Sequence, residues 1–343
     1  MLTQISLSEV ERKDAMYLLE QSMGFVWQAS LRAVAELGVA DRLLEGDKTA
    51  DRLGSELHVD GVFLLRVMRM LASRNVFHES SDGLFSLTPT ARFLCAEHQH
   101  SLRAAVLMLT DNTFWQPAAE ISDIVAGKRV FNTMFGMSFY EYWGQDNAAT
   151  EENVFHAGMS SMSSVENEVL VDCYYFPEGA SVIDIAGGFG NLLLTVLRRN
   201  PSLHGILFDQ EKVLAGNRLH LLDDDTRWDT VAGSFFEQCP QADIYLLKYI
   251  LMDWSDAQAS QILQTCRKSM KAESRLLILE PVIKDINNEP GRYEIDLLLL
   301  TSFEGGRART EREYADMLAG SGLKINRVIH TPSYLSIVEA VLA

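Results

Sequence analysis

Residues 181–194 read Ser181-Val-Ile-Asp184-Ile-Ala186-Gly187-Gly188-Phe189-Gly190-Asn-Leu-Leu-Leu194. A short apolar run carries an acid near its end, three glycines fall within four residues, and a helical pattern follows. The order predicts a strand, a tight turn and a helix whose first N–H groups face a ligand. Glycine suits places where the backbone takes a positive φ or a bound molecule comes close, and a helix start leaves its N–H groups unpaired. A small, partly anionic ligand is expected here.

The turn is not a dinucleotide fingerprint. G-x-G-x-x-G needs a third glycine, but Leu193 stands there when counting from Gly188, and Phe189 fills the next tested position when counting from Gly187. A phosphate loop of the G-x-x-x-x-G-K-[ST] type is absent as well. Asp209 ends the next apolar run, where a ligand at the crevice of an α/β sheet presents ribose hydroxyls. An amino-acid part over the glycines and a ribose at Asp209 describe S-adenosylmethionine better than NAD.

Outward from this stretch the pattern is α/β. Residues 182–185, 205–208, 230–232, 244–247 and 276–279 are short apolar runs separated by turns and mostly followed by helices. Two further runs, 324–330 and 334–342, flank Thr-Pro-Ser and predict an antiparallel hairpin at the end of the chain. Upstream, Ser8-Glu-Val-Glu11 is a capping box, and apolar residues then repeat at helical spacing as one unit to Leu37, with Gly38 as the stop. Thr49 and Asp60 cap two further helices, and 75–78 and 84–87 flank a Ser-Ser-Asp-Gly turn. Helices followed by a small hairpin make a winged-helix pattern. Residues 101–176 read as helices linked by Gly127, Gly136 and Gly144 and rich in aromatics. Most of these should be core, while Tyr140 and Tyr142 are candidates to face a sulfonium.

Composition narrows the partners. With 343 residues, 47% of them hydrophobic, the chain suits two domains or one α/β domain with a helical addition. The formal charge of −17 argues against nucleic acid and anionic membranes, and the second helix of the winged pattern has only Arg66, Arg69 and Arg74 nearby. Subunit contact is the better use of that module. Cys95, Cys173, Cys239 and Cys266 are too scattered for a zinc site or a disulfide framework, and no metal is expected. No export signal and no run of 18 apolar residues appears, so a cytoplasmic protein is expected.

Three segments carry a resemblance to a known family. Asp184–Gly190 resembles D-x-G-x-G-x-G with Ala186 at the first glycine; Lys248-Tyr-Ile-Leu-Met252-Asp253-Trp254-Ser-Asp256 resembles L-K-x-x-L-H-D-W-S-D; and Gly305-Gly-Arg-Ala308-Arg-Thr310 resembles G-G-x-E-R-T. The chain thus looks like a class I methyltransferase, more narrowly a small-molecule O-methyltransferase of the caffeic-acid and hydroxyindole type in its bacterial secondary-metabolism branch. The resemblance implies a winged-helix dimerisation domain over 1–100, a helical linker over 101–176 contributing to the substrate pocket, and a Rossmann-like seven-stranded catalytic domain over 177–343. It further implies S-adenosylmethionine as cofactor, a homodimer and a small-molecule acceptor. The cofactor residues carried over are Asp184, Gly187, Gly188, Gly190, Asp209, Gln210, Ser234, Phe235, Lys248, Met159 and Trp254.

Three departures bear on chemistry. Met252 stands where the family has a His base, and a thioether takes no proton near neutral pH. Ser234 replaces the acid of a G-D-x-F element, and Ala308 replaces the Glu of the G-G-x-E-R-T turn. Asp253, Glu280, Asp296 and Tyr140 are the principal candidates for catalytic work, the first two because they follow strands on the ligand side of the sheet. Tyr142 and Glu304 are further candidates, whereas His156 and His330 read as structural or exposed. Methyl transfer to a small acceptor without a His base is the expected reaction. The alternatives are cyclisation of S-adenosylmethionine to azetidine-2-carboxylate with release of methylthioadenosine, or a pericyclase or hydroxylase on the same scaffold.

Overall fold

A computed structural model describes residues 7–144, 154–284 and 292–343, so the first six residues, part of the stretch read for an export signal, lie outside the described residues. The chain forms two units, residues 1–110 and 111–343.

In the first unit, α1 (Glu9–Ser22) starts at the Ser8/Glu11 capping box and buries none of its residues. The single long helix expected to Leu37 is in fact two: α2 (Gly24–Leu37) begins after a break at Met23. The break falls beside Gly24, and glycine disfavours a continuous helix interior by ~1 kcal/mol. Gly38 closes α2 in the left-handed conformation, as a C-terminal glycine should. Thr49 and Asp60 cap α3 (Ala50–Leu57) and α4 (Gly61–Ala72). These two helices pack so closely that a Cβ on Gly54 would lie 2.8 Å from the Gly61 Cα. The hairpin of Phe77–Glu79 and Leu84–Leu87 follows, joined by the short strand Lys48–Thr49. Leu53, Met68, Leu71, Phe77 and Phe85 form the centre of the core.

The second unit begins with short helices between residues 112 and 143 and then the long helix α5 (Val154–Asp172). Its sheet contains β1 (Ser181–Ile185), β2 (His204–Asp209), β3 (Trp228–Ala232), β4 (Ile244–Lys248), β5 (Arg275–Glu280), β6 (Leu323–His330) and β7 (Ser336–Leu342) in the order β3-β2-β1-β4-β5-β7-β6. Strands β1 to β5 are parallel; β7 is antiparallel to β6, as the hairpin pattern predicted, and antiparallel to β5 as well. Apolar layers cover both faces. One brings α6 (Asn191–Arg199) and the end of α5 against the sheet; the other brings α7 (Asp256–Ser269) and α9 (Glu311–Gly320). Because strand order reverses between β1 and β4, the connections at their carboxyl ends part there and leave a crevice.

One element escaped the sequence reading. Val282–Ile283 pairs in parallel with Arg309–Thr310, tying the segment after β5 to the 305–310 turn. Each strand is only two residues long, too short for an alternation pattern to reveal.

Candidate active site

The glycine turn forms one wall of the crevice. Ala186 takes φ +53°, a conformation that favours glycine, and its N–H donates to the Phe208 carbonyl at 2.7 Å, holding the turn against β2. A Cβ on Gly187 would lie 2.6 Å from the Asp184 carboxyl, whereas one on Gly188 would meet nothing within 4 Å. Gly187 therefore fills a tight place over the acid, and Gly188 borders open space. Gly190, at φ +81°, leads into α6. At the end of β2, Asp209 accepts the Gly188 N–H at 2.9 Å on one oxygen and the Gln210 N–H at 2.7 Å on the other. On the far side, the Ser234 hydroxyl accepts the Phe236 N–H at 3.3 Å, and Trp254 lies 6.1 Å from Phe235 and 4.9 Å from Phe236 between ring centroids.

Asp184 is 2% exposed, and its Oδ2 has no hydrogen-bond partner among the described residues. Burial pushes its carboxyl up to about 7; the Lys248 charge and a hydrogen bond from the Leu193 N–H pull the other way. A buried carboxyl oxygen without a donor calls for a ligand donor such as an ammonium. Together with the open face of Gly188 and the acceptor oxygens of Asp209, it fits a ligand that joins an amino acid to a ribose. Lys248 does not extend freely into the crevice: its ammonium is turned to α5, 2.9 Å from a Glu166 oxygen. Met159 is partly buried on the same helix.

The other side of the crevice is built around the turn 251–253. Met252 is buried and Asp253 is half-buried. Tyr140 is 47% exposed, and its hydroxyl donates to Asp253. Around this pair stand Phe303, 5.3 Å from Tyr140 and 4.7 Å from Phe139, then Phe155, 5.2 Å from Phe139. Trp143 stacks on Phe155 at 5.8 Å. Tyr142 packs at 5.0 Å against Phe135 in the same aromatic group. Phe303 was not singled out from the sequence, although its place two residues before Gly305-Gly306 was a usable signal.

Several predicted residues serve the frame. Glu280 is fully buried, accepting the Ile250 and Met252 N–H groups at 3.0 and 3.2 Å on one oxygen and the Tyr314 hydroxyl on the other. Its carboxyl is thereby committed to holding the turn and does not meet open space. Asp296, on α8 (Arg292–Ser302), accepts the Ala308 N–H at 2.8 Å. Glu304 pairs with Arg129 at 3.1 Å and accepts from Asn132. His156 packs on Phe189 of the glycine turn at 6.1 Å, and burial lowers its pKa; His330 shares a 3.1 Å contact with Ser336 in the terminal hairpin. Arg309, missed from sequence, is 0% exposed and donates to the carbonyls of Leu251 and Trp254 at 2.8 and 2.9 Å while pairing with Asp256 at 2.9 Å. No group of His, Cys, Asp and Glu among the described residues is placed to hold a metal ion.

Burial pushes the Asp253 carboxyl up to about 8, Glu280 adding repulsion and the Tyr140 hydrogen bond opposing it. Free Asp titrates near about 3.9, so Asp253 and Asp184 hold protons in the fold that the unfolded chain has released. Stability contributed by these groups is therefore lost as pH rises from about 4 to about 8. Urea midpoints should be lower at the top of that window than at the bottom, and Asp253→Asn should narrow the difference.

Known proteins resemble this chain over most of its length. An O-methyltransferase dimerisation domain matches residues 19–97, and an O-methyltransferase domain matches residues 116–324. The chain is 35% identical over 328 residues to a phenazine O-methyltransferase of Lysobacter antibioticus, covering 94% of this chain and 95% of that one. It is 32% identical over 307 residues to the mitomycin biosynthesis 6-O-methyltransferase of Streptomyces lavendulae, covering 88% and 87%. Among solved structures, the S-adenosylhomocysteine-bound form of CalO1, a methyltransferase in calicheamicin biosynthesis, matches with a TM-score of 0.90 at 35% identity, covering 98% of this chain and all of that one. The chain belongs to the S-adenosylmethionine-dependent O-methyltransferase family, with the family's dimerisation domain ahead of its catalytic domain.

Proposed function

We propose that this enzyme methylates a hydroxyl of a small aromatic acceptor in secondary metabolism, and that it does so without a His base. The observation that carries the proposal is the Tyr140–Asp253 pair beside Met252, with Phe139 and Phe303 against the Tyr140 ring and Phe155 against Phe139. An aromatic wall suits a flat acceptor. With Met252 unable to take a proton and Asp253 raised to about 8, a readily ionised hydroxyl that arrives as its oxyanion is the acceptor best matched. Tyr140 and Asp253 then orient it by hydrogen bonds, and alignment with the donor methyl supplies ~7 kcal/mol or more of the barrier reduction.

Asp184, Gly187, Gly188 and Gly190 hold the amino-acid end of S-adenosylmethionine in this scheme, Asp209 and Gln210 the ribose, and Ser234, Phe235 and Trp254 the adenine. Met159 and Lys248 close the site from α5 and β4. When bound, the cofactor supplies an electrophilic methyl on a sulfonium. The helices of the 101–176 segment that follow residue 110 contribute the aromatic wall. The 1–100 module pairs with a second copy, for which Met16, Leu18, Leu19 and Phe25 are exposed on α1 and α2. Four free thiols and no helix long and apolar enough to cross a membrane among the described residues are consistent with a cytoplasmic setting.

Three measurements check these assignments. Asp209→Ala should weaken S-adenosylhomocysteine binding by ~1 to 3 kcal/mol in calorimetry, through lost charge-assisted hydrogen bonds. Wild-type protein should scatter light as a dimer, and Leu18→Glu with Leu19→Glu should shift it to monomer; a monomeric wild type refutes the pairing. Incubation with S-adenosylmethionine and a panel of hydroxyphenazines and hydroxyquinones should yield S-adenosylhomocysteine and the methyl ether by mass spectrometry, with more acidic hydroxyls reacting faster. Methylthioadenosine from the cofactor alone, or an acceptor rearranged with the cofactor intact, would overturn methyl transfer.

A further inference from the structure

Tyr249, the residue after β4, has φ +57°, a conformation that crowds the Cβ of any residue larger than glycine. Such strain persists where the surroundings over-determine it. Here the Tyr249 hydroxyl donates to Glu166 Oε1 at 2.6 Å, its N–H donates to the Leu279 carbonyl at 3.3 Å, and the Lys248 ammonium lies 5.3 Å over its ring. Glu166, mid-way along α5, is 7% exposed. Its second oxygen forms the 2.9 Å ionic contact with Lys248, which also donates to Ser163 at 3.0 Å and to Asn167 at 2.8 Å on the same helix. A buried carboxylate and a buried ammonium thus neutralise each other, and the carboxylate's other oxygen is spent on one phenol. Immediately beyond Tyr249 the chain enters the turn whose Ile250 and Met252 N–H groups bind Glu280 and whose last residue is Asp253.

We propose that Glu166 and Tyr249 are positioning residues: their hydrogen bond, anchored to α5 through Lys248, holds the left-handed step that presents Met252 and Asp253 to the acceptor. The helix beside the cofactor and the turn beside the acceptor then behave as one unit. The functional meaning rests on Asp253 facing the acceptor, while the tether itself is measurable without any acceptor.

The test uses the full chain saturated with S-adenosylhomocysteine. In Tyr249→Phe, amide hydrogen exchange at Ile250 and Met252 should accelerate at least ~10-fold, with β1 and α6 amides unchanged and ligand affinity within ~3-fold of wild type. Tyr249→Gly, which takes a positive φ without strain, should accelerate exchange similarly, since the tether is lost there too. With 13C-labelled Asp, the Asp253 titration midpoint should fall toward the ordinary carboxylate range in Tyr249→Phe while that of Asp184 stays in place. Wild-type protection in either variant, an unmoved Asp253 midpoint, or acceleration spread evenly through β1 and α6 would overturn the proposal. Absence of methyl transfer would count against the acceptor assignment alone, because none of these readouts depends on turnover.

Discussion

Burying carboxyl groups at the carboxyl ends of apolar parallel strands is the constraint on which the rest of this crevice depends. A carboxylate removed from water is costly unless donors or a cation meet it. The chain meets that demand to different degrees. Glu280 takes two backbone N–H groups and a tyrosine hydroxyl, Asp209 takes two backbone N–H groups from the turns beside it, and Glu166 takes an ammonium and a phenol. Among the described residues, Asp184 keeps one oxygen unmet, and Asp253 accepts from the Tyr140 hydroxyl. Glu280 and Glu166 hold the frame, whereas Asp184 keeps an oxygen that a ligand donor would meet, and Asp209, although it accepts two backbone N–H groups, keeps acceptor capacity for the proposed ribose.

The frame is held from behind by a second set of buried contacts. Arg309 spends its guanidinium on the carbonyls of Leu251 and Trp254 and on Asp256, while the two-residue ladder of Val282–Ile283 with Arg309–Thr310 ties the end of the 305–310 turn to the segment after β5. Glu280 and Arg309 thus grip the 250–254 segment from its N–H and its C=O sides. Such a doubly held turn is pre-organised, so binding of the proposed acceptor there would not have to supply the energy to order it.

In the proposed reaction, Met252 limits what that rigid turn can do. The side chain is buried, fills space and offers no site for a proton. A carboxyl hydrogen-bonded by a tyrosine, whose ring packs on Phe303, is what remains beside it. In the proposed reaction such a pair orients an oxygen better than it deprotonates a weakly acidic one, which would move demand to the acceptor's own acidity.

Much of this was legible along the chain because it is local. The strands, the glycine turn, Asp184 and Asp209 near strand ends, the Ser8/Glu11 capping box and the terminal hairpin follow from apolar periodicity and turn chemistry within a few residues. The break at Met23 was missed because a helical apolar period continues across it and hides the local effect of Gly24. What only the tertiary structure decided is the allocation of like residues to unlike tasks. Glu280 and Asp253 look equivalent in sequence, yet one is saturated and sealed and the other meets a tyrosine 113 positions away. Lys248 reads as a cofactor contact, but its charge is committed to Glu166, 82 positions earlier. Periodicity records which face of an element is apolar; which buried charge finds which partner depends on how distant elements pack, and no local pattern carries that information.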